Sequence, residues 1–469
     1  MARRAKIVCT LGPSTSDAAT VSDLVAAGMD IARLNFSHGT HDEHAHAYRL
    51  VREAGDLAGR AVGTVADLQG PKIRLGLFSG GQAVWIPGQR IMITGEGVVG
   101  GANHASSTYF RLAEEVSIGD RILVDDGNLA LEVIDASPPD MECMVIEGGV
   151  VSDHKGLSLP GSNLRIPALS AKDLTDLDFA IGLGVDMVAL SFVRRAGDAD
   201  AVRQVLLDAR SRVGVLAKIE TPQAVEHLDE IIAAFDGIML ARGDLGVEMP
   251  LEKVPLVQKR AIRLAREAGK PVIVATQMLE SMITHARPTR AEASDVATAV
   301  FDGTDALMLS AETSVGAYPR GSVATMARII EAAESEAIGN LPRIDVAMQT
   351  SGAALARAAV ETAADIDATA LVAFTTTGAT ARRLARHRPV TPLLAFTPEP
   401  LVRSQLALSW GLTTYIVPTV ASTDEMVHLV DHALRSSALA KPNDRVVVVT
   451  GTPGEPGSTN TIRVHRFSA

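Results

Sequence analysis

Residues 215–244 read VLAKIE, TPQAVEHLDEIIAAFD, GIMLA, RGD, and they contain one complete strand–helix–strand repeat. Two short apolar runs, 215–220 and 237–241, flank a helical stretch at 222–234. Each run is continuously apolar rather than alternating, which is what a parallel strand covered on both faces requires. Each also ends in groups that packing does not call for. Lys218 and Glu220 close the first run, and Arg242, Gly243 and Asp244 follow the second.

The same unit recurs on both sides. Runs at 6–11, 30–36, 62–68, 187–192, 271–276 and 306–310 bring the number of strands to eight, with helical stretches at 20–27, 174–183, 199–209 and 254–268 between them. Eight βα units predict an α/β fold of the (β/α)8 TIM-barrel type rather than an open sheet. The spacing breaks once. Residues 71–166 carry short β-like pieces (83–86, 90–93, 121–124, 129–134, 142–147) between Gly-rich turns, which predicts a small β-barrel inserted in a loop over the C-terminal face, where it can act as a lid. Beyond about residue 340 a helix at 353–364 and strand-like runs at 371–375, 393–396, 414–417 and 445–450 predict an open α/β domain. The expected domains are therefore a barrel from 1–70 and 167–340, a lid from 71–166 and a C-terminal regulatory domain from 345–469.

Composition narrows the function. Aromatic residues are only 3% of the chain, so the core must be aliphatic, and a net charge of −11 argues against a nucleic-acid partner. Two cysteines, Cys9 and Cys143, cannot build a disulfide framework and fit a reducing compartment. They read as buried small hydrophobes. No apolar run approaches the length of about 18 residues needed to span a membrane, and no signal peptide is read, so no membrane partner and a cytoplasmic setting are expected. His41, His44 and His46 read as a solvated helix face rather than a zinc site.

Polar strand ends carry the chemistry. They are Arg33-Leu-Asn35-Phe-Ser37-His38, Asp67-Leu68-Gln-Gly, Lys218-Ile-Glu220, Arg242-Gly243-Asp244, Thr276-Gln277 and Ser310-Ala-Glu312. Six strands ending this way predict one convergent pocket. Glu220 and Asp244 are two carboxylates suited to Mg²⁺, whose octahedral shell is completed by substrate phosphate and water. Arg33, Arg74, Lys218 and Arg242 are expected to surround it with positive charge. Metal plus cations is the equipment of phosphoryl transfer, which is mostly positioning and electrostatics.

The ordered blocks Lys6-IVCTLG-Pro13, Arg33-LNFSH-Gly39, Asp67-LQGPKI-Arg74, Lys218-Ile-Glu220, Met239-LARGDL-Gly246, Ala275-TQML-Glu280 and Met308-LSAE-Thr313 resemble those of pyruvate kinases along the whole chain. The resemblance implies phosphoryl transfer from phosphoenolpyruvate to ADP, giving pyruvate and ATP, with Mg²⁺ or Mn²⁺ on Glu220 and Asp244. It implies that Lys218 stabilises charge on the phosphoryl group and the enolate, and that Thr276 lies beside the carbon that gains a proton. Arg33, Gly243 and Asp244 would contact phosphoenolpyruvate, and Asn35, Ser37, His38, Arg74 and Lys155 the nucleotide. Ser310 and Glu312 would join proton delivery. A homotetramer is also implied. The rivals are a metal-dependent carbon–carbon lyase on the same barrel and a non-catalytic metabolite sensor.

One departure is informative. Potassium-dependent members resemble Asp-Thr-Lys-Gly-Pro-Glu-Ile-Arg after the third strand, and here Leu68 and Lys72 replace the threonine and the glutamate. A tethered ammonium supplies the charge that K⁺ would bring to the site of Asn35, Ser37, Asp67 and Leu68, so K⁺ is not expected to be required. In the last domain, Thr375-Thr376-Thr377-Gly378-Ala379-Thr380 follows a strand and opens a helix, which predicts an anion cradle. Thr452-Pro453 stands where fructose-bisphosphate-responsive relatives tend to carry Trp-Arg, so a sugar monophosphate or AMP is the expected effector.

Overall fold

The computed structural model describes residues 3–162, 165–337, 339, 341–344, 350–420, 422–452 and 459–468. Pro453 lies outside them. Eight parallel strands (Lys6–Thr10, Ile31–Asn35, Gly63–Asp67, Met187–Leu190, Gly214–Ile219, Gly237–Ala241, Val272–Ala275 and Ala306–Leu309) pair in chain order, and the eighth closes onto the first. The predicted barrel is present.

Strand pleating explains where its polar groups go. Val8, Ile31, Val65, Leu216 and Met308 belong to a buried cluster inside the barrel. Side chains two residues on project to the same side, so Thr10, Arg33, Asp67, Lys218 and Ser310 form the layer above it. The intervening residues Ile7, Ala32, Ala66, Ala217 and Leu309 pack outward into the larger core beneath the helices. The helix Val254–Ala268 is typical, burying Val257, Ala261, Ile262 and Ala265 and ending at Gly269 with φ +69°. A fully buried side chain such as Ile262 contributes about 2 kcal/mol. The single helix expected at 222–234 is two, Pro222–Glu226 and Leu228–Ala234, because the chain leaves helical geometry at His227 (φ −97°, ψ 22°).

At the base, Ala407 and Leu408 follow the helix Pro400–Leu406 of the C-terminal domain and join the cluster inside the barrel. Their neighbours lock them there. The Trp410 amide donates to Asp305 Oδ1 at 3.0 Å, Lys6 Nζ to the Leu412 carbonyl at 2.8 Å, and the Gly411 amide to the Arg4 carbonyl at 2.8 Å. The guanidinium groups of Arg4 and Arg388 sit 5.6 and 5.1 Å from the Trp410 ring.

The lid has its own apolar core, around Trp85, Ile91, Ile122, Leu131 and Val145. It is a six-stranded mixed sheet with a separate two-stranded ribbon, and its ladder does not close as the large barrel does. Three of its strands (His104–Ser106, Gly149–Ser152 and Leu157–Ser158) are too short to stand out in sequence. In the C-terminal domain the sheet order is Leu412–Ile416, Leu393–Thr397, Ala370–Phe374, Arg445–Gly451, Thr459–Arg466, the last strand antiparallel at the edge. Of the expected solvated histidine face, His46 is exposed, whereas His41 and His44 turn into packing contacts. His44 is buried and stacks on Phe36, while His41 stacks on Phe179 and lies 2.8 Å from Asp176.

Candidate active site

Four charged side chains meet at the upper rim of the barrel. Arg33 Nε donates to Asp67 Oδ2 at 2.6 Å, and Arg33 Nη1 to Thr10 Oγ1 at 3.0 Å. Lys218 Nζ lies 2.9 Å from Glu220 Oε1 and 3.3 Å from Asp67 Oδ1. That last contact is an ion pair without hydrogen-bond alignment, and among the described residues Asp67 Oδ1 stays without a hydrogen-bond partner although buried. Burial alone would pull the Lys218 ammonium down, but Asp67 and then Glu220 outweigh it and hold the group above its ordinary value. Burial pushes Glu220 up, with Lys218 opposing and Asp244 adding to the rise.

Sequence reading missed two neighbours. Ser191 Oγ accepts from Lys218 Nζ at 2.7 Å and donates to the Leu68 carbonyl at 2.7 Å. The Phe192 amide donates to Glu220 Oε2 at 2.7 Å from a backbone with φ +56°. Both residues looked like the tail of an apolar strand. Their signal was the polar Ser191, two places after the inward Ala189.

The sixth, seventh and eighth strand ends form a second, interlocked set. Thr276 Oγ1 accepts from the Gly243 amide at 2.8 Å and donates to the Ala275 carbonyl at 2.6 Å. Thr276 and Gln277 both have positive φ, +69° and +55°. Consecutive left-handed residues without glycine are strained, and such strain collects at functional loops. Arg242, expected to face the pocket, turns away. Its guanidinium forks onto Asp295 at 2.7 and 2.8 Å and also donates to the Thr276 carbonyl at 2.9 Å, because the helix Arg290–Asp302 offers a carboxylate behind the strand. Glu312 is buried and accepts the amides of Ser310 (2.6 Å) and Leu279 (3.1 Å), so it ties two strand ends together. Ser310 Oγ has no hydrogen-bond partner among the described residues.

Lid residues stand apart from this cluster. Arg74 Nη1 donates to the His154 carbonyl at 3.0 Å, and Lys155 Nζ pairs with Asp125 Oδ1 at 2.7 Å. Lys72 Nζ is 3.9 Å from Asp126 Oδ1, and both line a cleft shared with Ser158, Phe192, Asp244 and Glu248. Burial pushes the Glu248 carboxyl up to about 7. Asn35 Oδ1 accepts the Ser37 amide at 3.3 Å and His38 is exposed. Leu68 is buried with its side chain among core residues. In the C-terminal loop, Thr375 Oγ1 accepts the Gly378 amide and Thr380 meets Thr459, while Thr376 and Thr377 are exposed.

The donor set fits a divalent ion that is shared with its substrate. Around Lys218, two cations (Arg33, Lys218) face three carboxylates (Asp67, Glu220, Asp244), an acidic balance that an anionic substrate would not tolerate without added positive charge. Among the described residues no three His, Cys, Asp or Glu side chains form a ready metal cage. The buried Asp67 Oδ1, ion-paired to Lys218 but without a hydrogen-bond partner among the described residues, is a further acceptor there.

A family model described as the pyruvate kinase barrel domain matches residues 2–323, and one for the pyruvate kinase alpha/beta domain matches residues 353–465. The chain belongs to the pyruvate kinase family. A pyruvate kinase from Mycobacterium tuberculosis is 56% identical over 468 residues, covering 100% of this chain and 99% of that one. One from Corynebacterium glutamicum is 54% identical over 466 residues, covering 99% and 98%. A crystal structure of a pyruvate kinase from Cryptosporidium parvum superposes with a TM-score of 0.91 at 35% identity, covering 99% and 96%. The enzyme is thus a kinase whose substrates are phosphoenolpyruvate and ADP and whose products are pyruvate and ATP. No helix among its described residues is long and apolar enough to cross a membrane.

Proposed function

We propose that this pyruvate kinase reaction runs at the upper barrel rim and depends on Mg²⁺ or Mn²⁺ held by Glu220 and Asp244. When bound, the ion adds electrostatic stabilisation to the phosphoryl oxygens. Lys218 donates hydrogen bonds to the phosphoryl group in flight and then to the enolate oxygen. Arg33, braced by Asp67, orients the phosphate, with Gly243 and Asp244 beside it. Thr276 fixes the Gly243 turn and positions the water that protonates the methylene carbon. Ser310, whose hydroxyl has no hydrogen-bond partner among the described residues, relays the proton, and Glu312 holds Ser310 in place through its amide. Asn35, Ser37, His38, Arg74 and Lys155 receive the nucleotide once the lid approaches. The single observation that carries this reading is the Lys218 ammonium lodged between Glu220 (2.9 Å) and Asp67 (3.3 Å).

The deciding experiment is Lys218→Met in a coupled pyruvate assay with Mg²⁺ titrated and chelated. Loss of a positioned electrostatic donor costs about 10²–10³ in kcat. A variant with a wild-type circular dichroism spectrum that keeps most of its activity would sink the assignment, as would full activity after chelation.

The proposal extends to independence from K⁺, with the Lys72 ammonium standing in for it, and to a homotetramer working in cytoplasmic glycolysis. It also includes regulation by a sugar monophosphate or AMP at Thr375, Thr376, Thr377, Gly378 and Thr380. Exposure of Thr376 and Thr377 supports the effector reading. A phosphoenolpyruvate curve that no sugar phosphate or nucleotide shifts would remove it.

A further inference from the structure

Behind the loop at 35–39, which leaves the second barrel strand, the helices His41–Leu57 and Ala171–Leu183 meet. Phe36, buried in that loop, stacks on His44 with ring centroids 4.3 Å apart and lies edge-on to Phe179 at 6.2 Å. His41 stacks on Phe179 at 4.0 Å. Purely apolar side chains would fill this space as well. What the histidines and a neighbouring lysine add is polar reach into the loop backbone.

His44 Nε2 lies 3.0 Å from the His38 carbonyl oxygen, which can only accept, so that ring nitrogen carries the hydrogen and donates it. Lys172 Nζ donates to the Phe36 carbonyl at 2.7 Å. Asp176, 3% exposed, takes Lys172 Nζ on Oδ2 at 2.5 Å and lies 2.8 Å from His41 Nε2 through Oδ1, so it steadies both side chains. A trans peptide points its C=O and the following N–H in opposite directions. With the carbonyls of Phe36 and His38 drawn back onto Lys172 and His44, the amides of Ser37 and Gly39 turn to the opposite side of the loop. Asn35 Oδ1 accepts the first at 3.3 Å, and the second has no partner among the described residues. Gly39 makes the close approach possible. Its φ is +76°, and a Cβ there would stand 3.2 Å from Glu43 Oε2 and 3.6 Å from the His44 ring.

We propose that His44 and Lys172 are positioning residues for the nucleotide: by fixing the His38 and Phe36 carbonyls they hold the loop in the shape that presents its side chains and the Gly39 amide to the ADP phosphates. Oriented backbone amides of this kind suit anionic oxygens. The proposal rests on the reading that Asn35, Ser37 and His38 receive the nucleotide, and adds two residues that touch no substrate. Phosphoenolpyruvate should be indifferent to them. Arg33 and Lys218 take their own braces from Thr10, Asp67 and Ser191.

The test is steady-state kinetics of the full chain in the coupled pyruvate assay, with ADP and phosphoenolpyruvate varied in turn at saturating Mg²⁺. His44→Phe keeps a ring on Phe36 and removes the donor. Its KM for ADP should rise about tenfold while that for phosphoenolpyruvate stays within about twofold of wild type. Lys172→Met should raise the KM for ADP about threefold, the side chain being 52% exposed. His44→Gln, whose amide can donate again, should recover most of the loss. A packing role alone gives the reverse order, because phenylalanine fills the space better than glutamine. Urea melts identify any variant that folds poorly, and the half-exposed Lys172→Met then decides in place of His44→Phe. Asn35→Ala and His38→Ala probe the underlying reading. If both keep the wild-type KM for ADP, the loop does not receive the nucleotide and the proposal falls with that reading. If they raise it while folded His44→Phe and Lys172→Met do not, or if the KM values for both substrates rise together, the brace alone is overturned.

Discussion

Lys218 Nζ donates to Ser191 Oγ at 2.7 Å, and that hydroxyl in turn donates a hydrogen bond to the Leu68 carbonyl at 2.7 Å. The fourth strand end thus steers an ammonium carried by the fifth, and both are tied to the loop after the third. Ser191→Ala should lower kcat by about tenfold while leaving the apparent KM for phosphoenolpyruvate nearly unchanged, because it loosens the donor without removing it. The buried Leu68 carbonyl loses its partner as well, costing about 1–2 kcal/mol in chemical denaturation. Steady-state kinetics and urea melts check both.

Asp295→Asn keeps the shape of the Arg242 clamp and removes its charge. Since Arg242 also holds the Thr276 carbonyl, the strained Thr276–Gln277 turn should loosen, with kcat falling several-fold and stability by about 1 kcal/mol, the pair being partly exposed. A double-mutant cycle with Arg242→Lys should show coupling. Additive losses would mean that the clamp does not act through Thr276.

His387 is pulled down to about 4 by burial first and then by Arg386, Arg357 and Arg266. Its folded-state value lies below the ordinary 6.5, so the unfolded chain takes up the proton first. The stability tied to neutral His387 is whole above pH 6.5 and drains away as pH falls towards 4, on the order of 2 kcal/mol across the window. Urea melts at pH 7.5 and 4.5 should show a smaller difference for His387→Gln than for the wild type.

Sodium or tetramethylammonium in place of K⁺ should leave the wild-type rate essentially intact. Lys72→Glu should make the enzyme slow in those salts and restore it with K⁺. A wild-type enzyme that already needs K⁺ would refute the substitution of cation by side chain.

The strand ends were legible because pleating has a period of two. Leu216 inside the barrel obliges Lys218 to the same side, and Val65 does the same for Asp67. The direction of a long side chain is not encoded that way. Arg242 and Lys218 look alike on paper, yet Asp295, 53 residues further on, captures one of them. Ser191 and Phe192 were hidden in an apolar run. The edge strand Thr459–Arg466 escaped for a related reason: its face is half exposed, so it lacks the continuous hydrophobicity that marks the buried parallel strands beside it.

Ala407 and Leu408 give the barrel a stopper that belongs to another domain. A chain cut off after the last barrel helix would leave an open, greasy drain at the bottom, so the catalytic unit cannot be whole by itself. Evolution could therefore exchange the lid more easily than the tail. Any tilt of the C-terminal domain is also a tug on the floor beneath Leu216, two residues below the Lys218 ammonium.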